Sequence, residues 1–190
     1  MPSALNYLIV HGCYGYPTEN WFSWLQQQLE DDGGKVKVPQ FPTPESQSFA
    51  SWSRIAKCAL SGWNPAETIL IGHSVGSVFV LRLAEQATEP YKAVFAACPF
   101  AKPLGIPEFD PILPTFLEPP FDWARVKKGT QKIACFAGDN DPYVPLPYAR
   151  EVADAVGAPL TVVEKGGHLN AAAGYTSFPA MFDAIRKASQ

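Results

Sequence analysis

The stretch Thr68-Ile69-Leu70-Ile71-Gly72-His73-Ser74-Val75-Gly76-Ser77 constrains this chain more than any other. Thr68 to Ile71 is short, apolar and rich in β-branched residues, the pattern of a buried strand, and it stops at Gly72. From Val75 the residues read as a helix to Gln86, apolar on nearly every side through Val80. A strand that passes directly into a helix needs a tight turn. Gly72 and Gly76 flank that turn, where the backbone comes so close to its neighbours that a Cβ would collide. Ser74 is therefore expected to stand above the sheet at the helix N-terminus, where outward-pointing N–H groups favour negative charge.

The rest of the chain alternates strand and helix patterns around this stretch. Tyr7–Val10 reads as a first buried strand, followed by a helix from Thr18 to about Asp32 with Trp21, Trp24, Leu25 and Leu29 on one stripe. Lys35–Val38 reads as a short edge strand ended by Pro39, and a helix from about Ser48 to Leu60 turns Phe49, Trp52, Ile55, Ala56 and Ala59 inward. After the central stretch come a strand at Tyr91–Ala97, a short helix at Phe121–Lys127 and a strand at Lys132–Ala137. A helix at about Pro147–Val156, a strand at Pro159–Glu164 and a closing helix at about Phe178–Lys187 complete the series. Strands alternating with helices imply right-handed crossovers and a parallel sheet of about six strands with helices on both faces.

One segment breaks the pattern. Residues 98–120 hold seven prolines, with Phe100, Leu104, Ile106, Phe109, Ile112, Leu113, Phe116 and Leu117 between them. So many prolines exclude a long helix or a central strand, and so many apolar residues exclude a solvated linker. A lid or pocket wall over Ser74 is expected, because loops at the C-terminal ends of parallel strands overhang the ligand crevice; an extended crossover packed on the core is the plainer alternative. At 190 residues, the chain suits a single domain spanning 1–190.

Composition excludes several classes of function. A net charge of −3 and the lack of any Lys/Arg cluster give no footprint for nucleic acid. No stretch approaches membrane-spanning length, and Leu5–Val10 is too short for a signal-peptide core. Cys13, Cys58, Cys98 and Cys135 form no C-x-x-C pair. The last three sit in apolar surroundings that predict buried thiols, so a reducing, cytoplasmic setting is expected. Neither a metal nor another cofactor is expected, since no His/Cys/Asp set has ligand spacing and no phosphate-cradling loop occurs. Monomer is the default state.

The chemistry follows from three residue types in order. Gly72-x-Ser74-x-Gly76 after a strand and before a helix is the nucleophile elbow, which exposes a serine hydroxyl. Serine is a poor nucleophile at neutral pH and needs a base, for which histidine has the apt pKa. The candidates are His11, His73 and His168. His73 lies inside the turn and reads as structural, and His11 belongs to the loop after the first strand. His168, in a Gly-Gly-His loop past the last strand, is assigned as the base. An acid must hold the imidazole tautomer. Asp141 is preferred to Asp139, because Pro142 extends it while Asp139 reads as an Asx-turn residue; Asp110 and Asp122 are weaker alternatives. Two backbone N–H groups must hold the developing oxyanion, and Cys13, in His11-Gly12-Cys13-Tyr14-Gly15, and Val75 are the candidates.

The order Ser74, Asp141, His168 resembles that of the α/β-hydrolases over nearly the whole chain. The small size, the elbow after the third strand, Gly-Asp-Asn-Asp-Pro-Tyr-Val-Pro and Gly-Gly-His are more narrowly similar to small serine hydrolases of the YdeN and retinoblastoma-binding-protein-9 type. The resemblance implies a compact α/β-hydrolase fold, Ser74 as nucleophile, Asp141 as acid, His168 as base, and esterase activity. No Leu-x-Cys-x-Glu segment occurs that would imply a retinoblastoma-type partner.

The expected activity is a carboxylesterase cleaving small or medium apolar acyl or aromatic esters, with Tyr14, Phe100, Phe109 and Phe116 contacting substrate. An amidase or peptidase with the same triad is the nearest alternative, and a protein-interaction module with a vestigial site is another.

Overall fold

The computed structural model describes residues 4–189. Its elements run in chain order as β1 (Asn6–Val10), α1 (Phe22–Asp31), β2 (Lys35–Lys37), α2 (Phe49–Ala59), β3 (Thr68–His73) and α3 (Val75–Glu85). They continue as β4 (Ala93–Ala97), α4 (Pro114–Leu117), α5 (Trp123–Lys128), β5 (Ile133–Gly138), α6 (Leu146–Val156), β6 (Leu160–Val163) and α7 (Pro179–Ser189). The strands form one sheet in the order β2-β1-β3-β4-β5-β6, with every pairing parallel.

The order explains the apolar runs. Strands β1, β3 and β4 lie inside the sheet with helices covering both faces, so every residue of each is buried. The edge strands β2 and β6 are half-exposed and alternate more weakly. Helix α3 is buried along most of its length, which is why its apolar residues show almost no stripe.

Local chemistry sets the helix ends. Ser48 caps α2 by accepting from Ser51 N–H, while the Ser51 hydroxyl accepts from Ser48 N–H in return, a reciprocal capping box. Gly157 ends α6 in the left-handed conformation, at φ 69°. Helix α1 begins at Phe22 rather than Thr18, because Glu19 N–H bonds Tyr16 O and Phe22 N–H bonds Glu19 O, closing two turns first.

Residues 98–120 contain a 3₁₀ turn at Asp110–Ile112 and α4, and they pack onto the body through two ranks of apolar residues. Arg82 of α3 anchors their far end. Its buried guanidinium donates to Phe116 O and Leu117 O, each at 2.8 Å, and to Pro119 O. It also pairs with Glu85 at 2.6 Å and lies 3.6 Å from the centre of the Phe121 ring. The expectation that Cys58 is buried is corrected: Cys98 and Cys135 are buried, but Cys58 is exposed. It lies off the inward stripe of Trp52, Ile55, Ala56 and Ala59 on α2. Among the described residues, no helix is long and apolar enough to cross a membrane.

Candidate active site

Strand β3 delivers Ser74 into a turn with φ 56° and ψ −125°, a conformation rarely adopted by a residue with a side chain. Backbone contacts leave no alternative course. A Cβ at Gly72 would lie 2.3 Å from Gly76 O, and one at Gly76 would lie 2.4 Å from Val10 O. Ser74 N–H is tied to Ala97 O at 2.9 Å, and Ser74 O accepts from the Ser77 hydroxyl at 2.6 Å. The strain is thus held from both sides.

The loop after β1 lies against this turn. A Cβ at Gly12 would come within 3.1 Å of Ser74 Cβ, a tight contact that would press on the nucleophile, so the loop passes closely over Ser74. His11 fixes the start of the loop, donating from Nδ1 to Gly12 O at 2.8 Å and accepting from Phe41 N–H through Nε2 at 3.0 Å. Both ring nitrogens are therefore occupied. Val75 is the first residue of α3, so its N–H has no carbonyl four residues back within the helix.

The loop after β5 supplies three side chains in a row, each engaging the loop after β6. Asp139 Oδ1 accepts from Lys165 N–H at 2.7 Å, and Asn140 Oδ1 accepts from Gly167 N–H at 2.7 Å. Asp141 Oδ2 accepts from His168 Nδ1 at 2.7 Å. The other oxygen, Oδ1, accepts from Tyr143 N–H at 2.9 Å and Val144 N–H at 3.0 Å. A carboxylate only accepts, so His168 carries a proton on Nδ1, and in its neutral form the lone pair is on Nε2. The alternative acids are engaged elsewhere: Asp110 accepts from Leu104 and Gly105 N–H, and Asp122 caps α5.

The electrostatics follow from burial and pairing. Burial alone would push Asp141 upward, but His168 and the Val144 and Tyr143 N–H groups outweigh it, and its carboxyl lies below the usual value. His73 is buried. Burial, reinforced by neighbouring His168, takes it down to about 3 and keeps it neutral. Burial raises the Cys98 thiol well above its usual value, aided by Asp141 beside it.

Ser74 and His168 line one cavity of about 290 Å³ together with Cys13, Tyr14, Phe100 and Phe109. Tyr14, Phe109, Tyr143 and His168 form a continuous arc of rings, with successive centroids 6.0, 5.6 and 5.0 Å apart. Phe116 is corrected as a substrate contact. It is fully buried beneath the segment, packed on Phe49, Trp52 and Phe79. Its side chain belongs to the rank of the 98–120 segment that faces α2 and α3, not to the rank that faces the cavity.

Other lining residues escaped the sequence reading. Tyr143 follows the acid by two positions, and that place beside Asp141-Pro142 was the signal the sequence offered. Glu19 also lines the cavity, and burial pushes its carboxyl up to about 7. His73, Cys98 and His168 bring potential metal-ligating atoms within 4.8 Å of one another. Of these three, His168 Nδ1 and His73 Nε2 are committed to hydrogen bonds, and burial holds Cys98 as a neutral thiol.

The parallel sheet, the turn at Ser74 and the His168–Asp141 pair together define an α/β-hydrolase fold. The sequence pattern of the serine hydrolase family matches residues 7–187, and the chain belongs to that family. It is 28% identical over 180 residues to YdeN of Bacillus subtilis (strain 168), covering 93% of this chain and 92% of that protein. It is 27% identical over 171 residues to serine hydrolase RBBP9 of Rattus norvegicus, covering 88% and 89%. The crystal structure of the B. subtilis ydeN gene product superposes with a TM-score of 0.89 at 26% identity, covering 97% of this chain and 98% of that one. Polyneuridine aldehyde esterase shares the fold, with a TM-score of 0.69 at 15% identity over 99% of this chain and 100% of its own.

Proposed function

We propose that this serine hydrolase is a carboxylesterase acting through an acyl-enzyme on Ser74, with His168 as base and Asp141 as the acid that orients it. The observation that carries the reading is the 2.7 Å bond from His168 Nδ1 to Asp141, which leaves Nε2 a proton acceptor in the cavity that Ser74 also lines. Ser74 Oγ attacks the ester carbonyl as its proton passes to His168 Nε2. The oxyanion is held by Cys13 and Val75 N–H groups. His168 then protonates the leaving alcohol, and later takes a proton from the water that releases the acid. Asp141 stays ionised throughout and stabilises the imidazolium.

The cavity supports the substrate class. At about 290 Å³ it stands at the small end of ligand pockets. Phe100, Phe109 and Tyr14 give it apolar walls suited to a small or medium apolar acyl or aromatic ester, and residues 98–120 act as its lid. The name of polyneuridine aldehyde esterase is in keeping with an ester. A cytoplasmic setting, supported by the buried Cys98 and Cys135 thiols, and a monomeric state complete the reading.

The test pairs p-nitrophenyl esters with p-nitroanilides of the same acyl groups, alongside mass-spectrometric location of a fluorophosphonate label. The reading predicts label on Ser74 and esters turned over at least ~100-fold faster than matched anilides. Comparable anilide turnover would make the protein an amidase or peptidase. A folded protein that neither labels nor turns over would point to a binding role.

A further inference from the structure

An oxyanion hole works only if both of its N–H groups point at one place. Helix α3 fixes the Val75 donor, whereas Cys13 sits on a loop whose peptide planes need a restraint of their own. The need is sharpest at Tyr14, which has φ 57° although it carries a side chain.

A closed circuit of hydrogen bonds supplies that restraint. Tyr14 N–H donates to Thr43 Oγ1 at 2.7 Å, and the Thr43 hydroxyl donates to Gln47 Oε1 at 2.6 Å. Gln47 Nε2 then donates to Cys13 Sγ at 3.1 Å, returning the circuit to the residue before Tyr14. Cys13 is thus gripped by its side chain on one side and by the following peptide on the other. The same Nε2 reaches Ile112 O at 3.4 Å, between Phe109 and Leu113, which wall the cavity. Gln47 is 9% exposed, so water cannot readily replace these bonds, and they use both its amide oxygen and its amide nitrogen. Burial pushes the Cys13 thiol up to about 11, so its sulfur meets the amide as a neutral acceptor.

We infer that Gln47 and Thr43 are positioning residues that hold the Cys13 N–H in place for the oxyanion and couple its setting to the 98–120 wall of the cavity. The inference rests on the esterase reading above. Neither side chain lines the cavity, so both act through the loop and not on substrate.

The test measures the rate at which a fluorophosphonate phosphonylates Ser74, since the phosphonyl oxygen occupies the oxyanion position. Wild type, Gln47→Met, Thr43→Val and Thr43→Ser are compared, each with a thermal melt. Gln47→Met and Thr43→Val should label about 10–100-fold more slowly, the scale of a misplaced catalytic group, with ester kcat falling far more than KM changes. Thr43→Ser keeps the hydroxyl and should stay within about threefold of wild type. Should Gln47→Met fold poorly, the Thr43→Val and Thr43→Ser pair decides. Unchanged labelling in folded Gln47→Met and Thr43→Val, or equal loss in Thr43→Ser and Thr43→Val, would overturn the positioning role alone. A folded wild type that resists the label would overturn the esterase reading and this inference with it.

Discussion

His73 Nε2 donates to the backbone carbonyl of His168 at 2.8 Å, joining the residue before Ser74 to the residue whose imidazole shares its cavity. The bond spans 95 positions of sequence and sets the spacing between two loops from opposite sides of β4 and β5. A carbonyl only accepts, so Nε2 holds the proton and Nδ1, which has no partner, is bare.

His73→Phe keeps the ring volume but leaves the His168 carbonyl buried without its donor, at a cost of about 1–3 kcal/mol. Activity should fall about 10–100-fold, as expected when a base shifts relative to its nucleophile. The acid limb of the stability curve tests the electrostatic part. His73 falls from 6.5 to about 3 on folding, so between those values the unfolded chain binds more protons. Stability from this group is present above pH 6.5 and is lost as pH falls through the window. Urea melts should therefore show a shallower acid loss in His73→Phe than in wild type.

Glu19 acts in the opposite sense. Its carboxyl rises from 4.5 to about 7 on folding, mainly through burial, so the folded state binds more protons between those values. The associated stability is present below pH 4.5 and is lost as pH rises through 7. Glu19→Gln removes the titrating group, so its stability relative to wild type should increase from pH 4.5 to pH 8 in paired denaturant melts.

Asp141→Asn should lower kcat by ~10³–10⁴-fold with little effect on KM, because the amide no longer specifies the Nδ1–H tautomer. Steady-state kinetics on a single ester, with circular dichroism to show an intact fold, checks this. A loss below tenfold would remove Asp141 from its proposed role.

Arg82→Met should loosen the 98–120 segment, since the guanidinium satisfies the Phe116, Leu117 and Pro119 carbonyls together with Glu85. Leaving those partners buried should cost about 3 kcal/mol in urea denaturation. Limited proteolysis should cut first within residues 98–120.

The sequence made the frame and the order of the candidate site legible for physical reasons. Strands covered on both faces must be apolar throughout, and the turn at Ser74 demands Gly72 and Gly76, whose contacts leave no room for a Cβ. Asp141 was preferred to Asp139 because a proline follows it, but the Asx-type bonds belong to Asp141, whose Oδ1 accepts from Tyr143 and Val144 N–H, while Asp139 accepts from the distant Lys165 N–H; only the contact with His168 separates the two. What escaped lies in contacts between distant segments. Phe109 and Phe116 belong to the same proline-rich run, and only packing on α2 and α3 sends one to the cavity and the other to the core. Gln47 reaches Cys13 across 34 positions and Ile112 across 65, and no local pattern marks such a bridge.

The most direct measurement of the central claim is hydrolysis of a graded series of p-nitrophenyl esters by wild type and Ser74→Ala across pH. The account predicts ester turnover by wild type, and a Ser74→Ala variant at background with an unchanged melt. Wild-type rates in Ser74→Ala, or no turnover of any ester by the folded wild type, would contradict it.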